Sequence, residues 1–323
     1  MAQSLLTLLR HQLPDAHITV MAPAWSRALL ERMQEVDASI ESPFGHGDLK
    51  LIARWKLGRQ LAGRFDTAYI LPNSFKSALV PFFARIPRRV GWQGELRNLL
   101  LTDCRKLDAS QYPLMVERFV ALAVDRSERL PVFERPALQT NPGQAAATAT
   151  MLGIERTEQV LALCPGAEFG DAKQWPVQHY ARLSDIVIKA GWQVWILGSP
   201  NDREAGNQVV SSVSESNRSS CFDLTGKTSL DQVIDLLSLA SATVSNDSGL
   251  MHIAAAVGSP LVALYGSTSP GFTPPLADRV KSLTTDIACR PCFKRQCPLG
   301  HKRCLTEITP EGVYSSLQDL LSP

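Results

Sequence analysis

Short apolar runs alternate with amphipathic stretches along the whole of this 323-residue chain. The runs have the length of buried strands, and the stretches between them show the spacing of helices. Strands separated by helices pair in parallel, and the helices then cover both faces of the sheet. The sequence therefore predicts an α/β protein with a parallel sheet in each half and no internal repeat. The predicted strands are 18–22, 67–71, 89–92, 160–164, 193–197, 242–244 and 261–265.

A stretch rich in Pro and Thr at 131–148 separates the two sets of predicted strands and is typical of an interdomain linker. We expect a first domain at 1–140 and a second at 141–323. With 45% hydrophobic and 20% charged residues, a chain of this length can bury a full core in each domain.

The sequence contains no run of 18 apolar residues and no basic-then-apolar signal segment. Seven cysteines, an odd number without an export signal, argue against a disulfide framework. We therefore expect a soluble cytosolic protein that contacts a membrane only at its surface.

Basic residues concentrate between Asp48 and Lys106, where twelve Lys or Arg stand against four Asp or Glu. This segment has a net charge near +8, although the whole chain has only +2. The contrast indicates an anionic partner for the first domain, unless each basic side chain belongs to a solvated helix face. Nucleic acid is disfavoured, because no basic motif interleaved with aromatic residues and no recognition-helix pattern is present.

A turn with the sequence SNDSGLMH at 245–252 joins a predicted strand to a small-residue helix at 253–257. Asp247 supplies a carboxylate and Ser248 a hydroxyl, and free N–H groups around Gly249 can bind phosphate at a helix start. His252 lies about one turn into that helix on the same side. Taken alone, such a turn is explained equally well by helix capping without a ligand.

A second turn follows the strand at 160–164, where the sequence CPGAEFGDAKQWP leads into a helix at 177–190. Gly166 lets backbone N–H groups approach a diphosphate closely, and the Lys173 ammonium neutralises its charge. Ligands of parallel sheets bind at the carboxyl ends of the strands. We therefore expect the two turns to hold one nucleotide.

Two further loops of the second half carry candidate ligand contacts. Asp202 and Glu204 are candidates for hydrogen bonds to a ribose, although an N-cap with an acidic first turn fits them equally well. Thr228, in the loop TGKTSL at 225–230, is a candidate for a base pocket. A nucleotide site in the second half and an anionic acceptor site in the first describe a two-domain sugar transferase.

Four motifs carry a resemblance to a known family. They are CPGAEFG at 164–170 with Lys173 and Trp175-Pro176, NDSGLMH at 246–252, LPNSFKSAL at 71–79 and FTPPL at 272–276. In this order they resemble the motifs of the ADP-heptose:lipopolysaccharide heptosyltransferases of glycosyltransferase family 9, in particular the heptosyltransferase II group. The resemblance runs from Met1 nearly to the end of the chain.

The resemblance implies a GT-B fold, with two Rossmann-like domains and a nucleotide-sugar cleft between them. It also implies transfer of heptose from ADP-L-glycero-D-manno-heptose to the first heptose of the inner core, with inversion at the anomeric carbon. Lys173 would then meet the diphosphate and Asp247 the heptose hydroxyls, while Ser248 and Gly249 would offer donors to the phosphates. No cofactor is required for this chemistry, and the sequence leaves open a divalent ion beside the diphosphate.

The acceptor of such an enzyme carries Kdo carboxylates and phosphates and is anchored in lipid. We expect the protein to be a monomer that rests against the inner face of the cytoplasmic membrane. Charge and position in the first domain make five basic residues candidates for acceptor binding. They are Lys76, Arg88, Arg89, Arg97 and Arg105.

The sequence departs from the family at its start. The family has a first strand and a Gly-Asp turn ahead of the segment that matches Met1, and the carboxylate of that turn is its expected catalytic base. We assign no base within this chain, since nothing in the sequence places Asp103 or Glu95 near an acceptor hydroxyl. We expect Met1 to be an internal methionine or a truncation point. The missing first strand would lie in the centre of the first sheet, so we expect the two strands beside it to keep unpaired backbone groups. Equal transfer by this chain and by one extended upstream would contradict that expectation.

A cysteine cluster near the C-terminus stands apart from the nucleotide motifs. Its spacing, Cys-x2-Cys-x4-Cys-x6-Cys, resembles a structural zinc site, although the two-residue gap occurs once rather than twice. An iron–sulfur cluster and reduced thiols without a ligand stay open as alternatives. The four cysteines are Cys289, Cys292, Cys297 and Cys304.

Three classes of function therefore remain. The first is a heptosyltransferase, the second is another nucleotide-sugar transferase or a two-domain epimerase, and the third is a catalytically impaired relative that binds nucleotide or glycolipid. An NAD-dependent oxidoreductase is disfavoured, because no Gly-x-Gly-x-x-Gly turn follows a strand. Release of ADP only in the presence of acceptor would favour the first class.

Overall fold

Two units divide the chain in the computed structural model, which describes residues 1–126, 128–155, 159–168 and 170–322. Unit 1 comprises Met1–Leu30 and Glu35–Glu134, and unit 2 comprises Glu31–Gln34 and Arg135–Pro323. In the short segment Glu31–Gln34 of unit 2, Arg32 makes a bidentate ion pair with the buried Asp235, at 2.8 and 2.7 Å.

Unit 2 is built on a six-stranded parallel sheet. Its strands are β6 (Val160–Cys164), β7 (Gln193–Ile196), β8 (Cys221–Asp223), β9 (Ala242–Asn246), β10 (Leu261–Leu264) and β11 (Val280–Leu283). Its helices are α6 (Pro142–Met151), α7 (Val177–Lys189), α8 (Arg203–Ser212), α9 (Leu230–Leu239), α10 (Gly249–Ala256), α11 (Arg303–Thr306) and α12 (Pro310–Leu321).

The four inner strands of this sheet are fully buried, because helices cover both of its faces. Alternate strand residues such as Leu161, Leu163 and Val244 share one hydrophobic cluster with Leu183 of α7 and Val313 of α12. Helix α7 packs against α8 and α12, and α9 packs against α6 and α10. The prediction of a buried parallel sheet in the second half is confirmed.

The strand order of unit 2 creates a switch point. The order is β11-β10-β9-β6-β7-β8, so the chain leaves β6 toward one edge and returns to β9 on its other side. The carboxyl ends of β6 and β9 are neighbours, since Cys164 pairs in register with Ser245. In open α/β sheets, ligands bind in the crevice at such a point.

Unit 1 contains two parallel sheets of two and three strands, in the orders β1-β2 and β3-β4-β5. Within the described residues, β1 pairs only with β2 and β3 only with β4, so each keeps one unpaired edge. Its strands are β1 (Thr19–Ala22), β2 (Ala38–Glu41), β3 (Thr67–Ile70), β4 (Arg88–Trp92) and β5 (Asp103–Arg105). Its helices are α1 (Gln3–Gln12), α2 (Arg27–Leu30), α3 (Leu51–Gln60), α4 (Leu79–Phe83) and α5 (Met115–Val120).

Several predicted boundaries differ from the structure. The predicted strand 18–22 spans only Thr19–Ala22, and the stretch interpreted as a linker to residue 148 already contains α6 from Pro142 onward. Helix α6 begins there because the Asn141 side chain accepts a hydrogen bond from Gln144 N at 3.1 Å. The sequence also did not reveal β2, β5, β8 and β11, which are short and rich in polar residues. None of the described helices has the length and apolarity needed to cross a membrane.

Candidate functional site

The two predicted ligand loops meet at the switch point of unit 2. Lys173 ends a short 3-10 turn, Asp171–Lys173, in the loop after β6, and Asp247 directly follows β9. The Lys173 Nζ atom lies 2.7 Å from Asp247 Oδ2, and both side chains are largely buried. The structure therefore brings together the ammonium and the carboxylate that the sequence predicted to converge.

A second hydrogen bond fixes this carboxylate. Thr268, in the loop after β10, donates its hydroxyl to Asp247 Oδ2 at 2.6 Å. Both bonds end on Oδ2, so Oδ1 takes part in neither. Three strand ends thus contribute to one polar cluster, which we call the donor site: Lys173, Asp247, Thr268 and the start of α10.

Asn246 joins the two main loops of the donor site and was not singled out in the sequence. Its side-chain amide donates to the Pro165 carbonyl oxygen at 2.6 Å. Its Oδ1 accepts from the Trp175 backbone N–H and from the Tyr180 hydroxyl, each at 3.0 Å. A fully buried Asn at the end of a buried strand requires such partners, and that requirement was the available sequence signal.

The start of α10 presents backbone N–H groups beside Asp247. The helix begins at Gly249, four residues before the predicted start at Ile253, so the Asp-Ser-Gly turn leads directly into it. Ser248 is extended and places its Oγ 3.3 Å from Ser245 Oγ instead of capping the helix. A Cβ built on Gly249 would meet no atom within 4 Å, so there is room at the helix start. The helix start combines unpaired N–H groups with a positive dipole end, which favours phosphate oxygens.

His252 lies half-buried in the second turn of the donor site's helix. Burial lowers the pKa of its imidazole to about 4, although the nearby Asp247 carboxylate opposes this shift. The ring is therefore neutral at pH 7 and offers a hydrogen bond rather than a positive charge.

The other predicted donor contacts have different surroundings. Asp202 Oδ2 accepts from the Ser199 N–H and hydroxyl, each at 2.8 Å, which is the capping interaction that the sequence left open. A Cβ on Gly166 would lie 2.6 Å from Asp202 Oδ1, so the loop after β6 passes directly beside this carboxylate. Glu204 is exposed and accepts from Gln208. Thr228 Oγ1 is buried and has no hydrogen-bond partner among the described residues, which fits a contact to a ligand.

The five predicted acceptor residues of unit 1 fall into two groups. Arg97 is fully buried, Arg105 is nearly so, and both donate to backbone carbonyl oxygens of their own unit. Arg89 is half-buried and donates to the Leu100 carbonyl oxygen at 2.7 Å. Arg88 is half-exposed, and Lys76 is partly exposed. Binding to an external acceptor therefore stays a prediction that fits Lys76 and Arg88 better than the buried arginines.

The two acidic residues considered as a base in unit 1 are both committed to local contacts. Asp103 lies against Arg105 and Arg126, at 2.8 and 2.6 Å. Burial acts to raise the pKa of Asp103, but hydrogen bonds from these two arginines lower it overall. Glu95 accepts from the Phe75 N–H at 2.9 Å. An ion-paired carboxylate with a lowered pKa is a weak base, which agrees with leaving Asp103 unassigned.

The four C-terminal cysteines surround one small cavity in unit 2. A cavity of about 20 Å³ is lined by all four, together with Ser267, Arg290 and His301 among others. Hydrogen bonds from the backbone N–H groups of 299–302, the strongest from Lys302, lower the pKa of the Cys297 thiol. Across the described residues, no three His, Cys, Asp or Glu side chains already have the arrangement of a metal site.

Of the family motifs quoted from the sequence, Phe169 alone lies outside the described residues.

Comparisons with known proteins agree with this architecture. The family sequence model of glycosyltransferase family 9 (heptosyltransferase) matches residues 54–303 of this chain. Lipopolysaccharide heptosyltransferase 2 of Escherichia coli K12 is 46% identical over 99% of this chain and 94% of the relative. The corresponding protein of Salmonella typhimurium LT2 is 45% identical over 100% of this chain and 94% of its own length.

Solved structures are similar over nearly the whole chain. The structure of E. coli ADP-heptose LPS heptosyltransferase II matches with a TM-score of 0.90 and 44% sequence identity. The match covers 99% of this chain and 94% of the E. coli chain. A glycosyltransferase family 9 protein from Veillonella parvula has a TM-score of 0.82 at 21% identity, with coverage of 99% and 92%, and supports the fold alone. The α/β architecture is thus that of the GT-B fold, with two Rossmann-like domains.

Proposed function

The chain belongs to glycosyltransferase family 9, the heptosyltransferases, and from this premise we propose its reaction. The protein is a glycosyltransferase that moves L-glycero-D-manno-heptose from ADP-heptose onto the first heptose of the lipopolysaccharide inner core, lipid A-Kdo2-heptose. The acceptor hydroxyl oxygen forms a bond to the anomeric carbon while the bond to the diphosphate oxygen breaks, with inversion. The hydroxyl proton passes to a general base, which we do not assign to a residue of this chain, and ADP leaves.

The observation that carries this proposal is the ion pair between Lys173 and Asp247 at the switch point. The leaving diphosphate gains negative charge as the glycosidic bond breaks, so fixed donors lower the barrier. The Lys173 ammonium and the N–H groups at the start of α10 are two such donors. Asp247 holds the lysine in place and has Oδ1 on its other side, where a heptose hydroxyl could donate.

The acceptor and the location of the enzyme are part of the same proposal. A lipid-anchored acceptor with carboxylates and phosphates is presented at the inner face of the cytoplasmic membrane. The basic segment 48–106, with its net charge near +8, suits this acceptor, and Lys76 and Arg88 are its candidate contacts. The protein acts there as a monomer, without a cofactor for the chemistry.

The test measures ADP release from ADP-heptose with and without lipid A-Kdo2-heptose. We expect release only when the acceptor is present. Substitution Lys173→Ala should lower kcat by roughly 10²- to 10³-fold, the usual cost of losing one donor to a developing charge. The matched control is Lys189→Ala, because Lys189 is the exposed last residue of α7.

The two alternative classes predict different results in the same assay. Release of nucleotide without acceptor, together with an altered sugar, would replace the proposal by an epimerase. Saturable ADP binding without any release would favour a catalytically impaired relative. Absence of ADP binding by calorimetry would contradict the donor site itself.

A further inference from the structure

The segment 289–304, which we call the cysteine loop, is not used by the proposed reaction. We propose that its four cysteines bind one metal ion as a four-thiolate site, and that this ion holds the loop against the donor site. The four ligands are Cys289, Cys292, Cys297 and Cys304. The metal site is argued from the loop's own geometry, and only its effect on nucleotide binding rests on the proposed function.

The first observation is the size and lining of the cavity among the four thiols. At about 20 Å³ it has room for a single ion or water molecule. Sulfur ligands in a set of four are typical of Zn²⁺ or iron in tetrahedral coordination. Arg290 and Lys302 also line the cavity, and their charges offset the net negative charge of four thiolates around a divalent ion.

The second observation is the turn that follows Cys297. The Gly300 N–H donates to the Cys297 carbonyl oxygen at 3.1 Å, and Lys302 has a left-handed backbone just before α11 begins at Arg303. The chain thereby reverses between Cys297 and Cys304, and both side chains line the same cavity.

The third observation is an orphaned hydroxyl in the cavity wall. Ser267 is 1% exposed, lines the cavity, and its Oγ has no hydrogen-bond partner among the described residues. A buried polar atom without a partner is costly, so its presence indicates a polar or ionic occupant.

The fourth observation is that the loop has little else to fix it. Residues 284–302 contain no described helix or strand, and most of them are exposed. Long irregular segments of this kind fold around a ligand or a metal when they cannot form a core. No three His, Cys, Asp or Glu side chains in the described part of the chain have metal-site geometry in this rotamer arrangement. Rotation about χ1 moves a cysteine sulfur without moving the backbone.

The cysteine loop contacts both sides of the donor site. The Ala172 N–H, next to Lys173, donates to the Arg295 carbonyl oxygen at 3.1 Å, and Lys302 pairs with Asp171 at 2.8 Å. On the other side, the Phe293 N–H donates to the Ser267 carbonyl oxygen at 2.7 Å.

Arg290 completes the second of these connections. Its guanidinium donates to the carbonyl oxygens of Gly266 and Thr268, at 3.2 and 3.0 Å. Since Thr268 bonds Asp247, an ordered cysteine loop positions both members of the Lys173–Asp247 pair. The ion thus acts on nucleotide binding through these loops and touches no reacting atom.

The experiment begins with metal analysis of the full chain, expressed in medium containing zinc and iron and purified without chelator. We expect about one ion per chain, with the measured element deciding between Zn²⁺ and iron. Cys292→Ser or Cys297→Ser should remove most of this metal. The matched control is Cys104→Ser, because Cys104 lies in unit 1, where its thiol donates to Asn98.

Cobalt reconstitution and ADP calorimetry provide readouts that do not depend on heptosyl transfer. Reduced apoprotein given Co²⁺ should show the visible bands of tetrahedral thiolate coordination, and Cys297→Ser should lose them. Circular dichroism of each variant identifies any that fail to fold. For folded variants, we expect ADP affinity to fall about tenfold on loss of the metal and to recover in the wild-type protein when Zn²⁺ is restored.

The outcomes separate the metal site from its effect. Wild-type protein without metal that also fails to bind Zn²⁺ and Co²⁺ when reduced would overturn the proposal, as would two disulfides among the four cysteines. Stoichiometric metal with unchanged ADP affinity in metal-free protein would overturn the positioning role alone. Stoichiometric metal in a protein that never transfers heptose would leave the site in place and contradict only the proposed function.

Discussion

Asn246 and Arg97 show how single buried polar residues fix the loops of each unit. Asn246 connects the two loops of the donor site through three hydrogen bonds. Arg97 is fully buried in unit 1 and has its guanidinium surrounded by acceptors. These acceptors are the carbonyl oxygens of Pro72 and Trp92, the Asn73 side chain and the Ser77 hydroxyl.

Arg97→Ala should therefore destabilise the protein rather than act on acceptor binding alone. Its removal leaves buried carbonyl oxygens without a donor, so we expect the free energy of unfolding to fall by on the order of 3 kcal/mol. Urea denaturation measures this, with Lys76→Ala, at a partly exposed position, as the comparison. An Arg97→Ala protein of unchanged stability with weakened acceptor binding would favour the acceptor role for Arg97.

His252 should make stability depend on pH in the acid range. Burial lowers its folded-state pKa from 6.5 to about 4, so the unfolded chain binds a proton that the folded protein does not. Stability is full above pH 6.5 and should decrease as the pH falls from 6.5 toward 4. In His252→Gln, urea midpoints should change less over this range, and an identical pH profile in both proteins would contradict the assignment.

At the scale of elements, the strand ends β6 and β9 decide where chemistry can occur. They are adjacent in the sheet, and the turn after β6 passes close to another element, whereas the turn after β9 has open space at Gly249. Gly166 is the clearest case, since any side chain there would collide with the Asp202 carboxylate at the start of α8. Glycine at this position reflects a close approach and not a special backbone angle.

Gly166→Ala should weaken ADP binding and lower the free energy of unfolding by roughly 1–3 kcal/mol, the usual cost of overpacking. Asp202→Ala in the same chain should restore part of both losses, because it removes the colliding carboxylate. Gly143→Ala in α6 is the matched control, since its Cβ would make only an ordinary contact with Asn141 at 3.5 Å. Additive effects of the two substitutions in calorimetry and urea denaturation would argue against this contact.

At the scale of the whole molecule, charge is distributed unevenly along the chain. The segment 48–106 lies within unit 1 and carries a net charge near +8, against +2 for the full chain. Part of this charge is structural, since Arg54, Arg97 and Arg105 are buried and bonded to backbone carbonyl oxygens. The exposed remainder is available to attract an anionic acceptor.

Salt should therefore raise the KM for the acceptor, because screening weakens attraction beyond a Debye length of about 10 Å at 0.1 M. Lys76→Gln with Arg88→Gln should raise the KM at low salt and flatten its dependence on salt. Arg126→Gln serves as a single-charge control, since Arg126 is an exposed arginine of unit 1 outside the segment 48–106. A KM that does not change with salt would count against electrostatic recognition by this segment.

Much of unit 2 was predictable because its signals are local. Runs of buried apolar residues identified the inner strands. The donor loops were identified by the turn residues at two strand ends: glycine and lysine after β6, and Asp-Ser-Gly after β9. Unit 1 was less predictable. Its strands β2 and β5 are short and polar, and they are held by pairing with distant residues that no local pattern encodes.

The sequence by itself determined the fold class, the family and the two loops that carry Lys173 and Asp247, because strand ends and turn residues are specified within a few residues. Only the tertiary structure decided which polar residues bind one another: Asn246 bonds a carbonyl oxygen 81 residues away, and Arg97 is buried although its charge suggested exposure. It also placed the cysteine loop against the donor site. Burial and hydrogen-bond satisfaction are properties of the packed chain, so contacts between distant residues appear only once the sheets and loops are assembled.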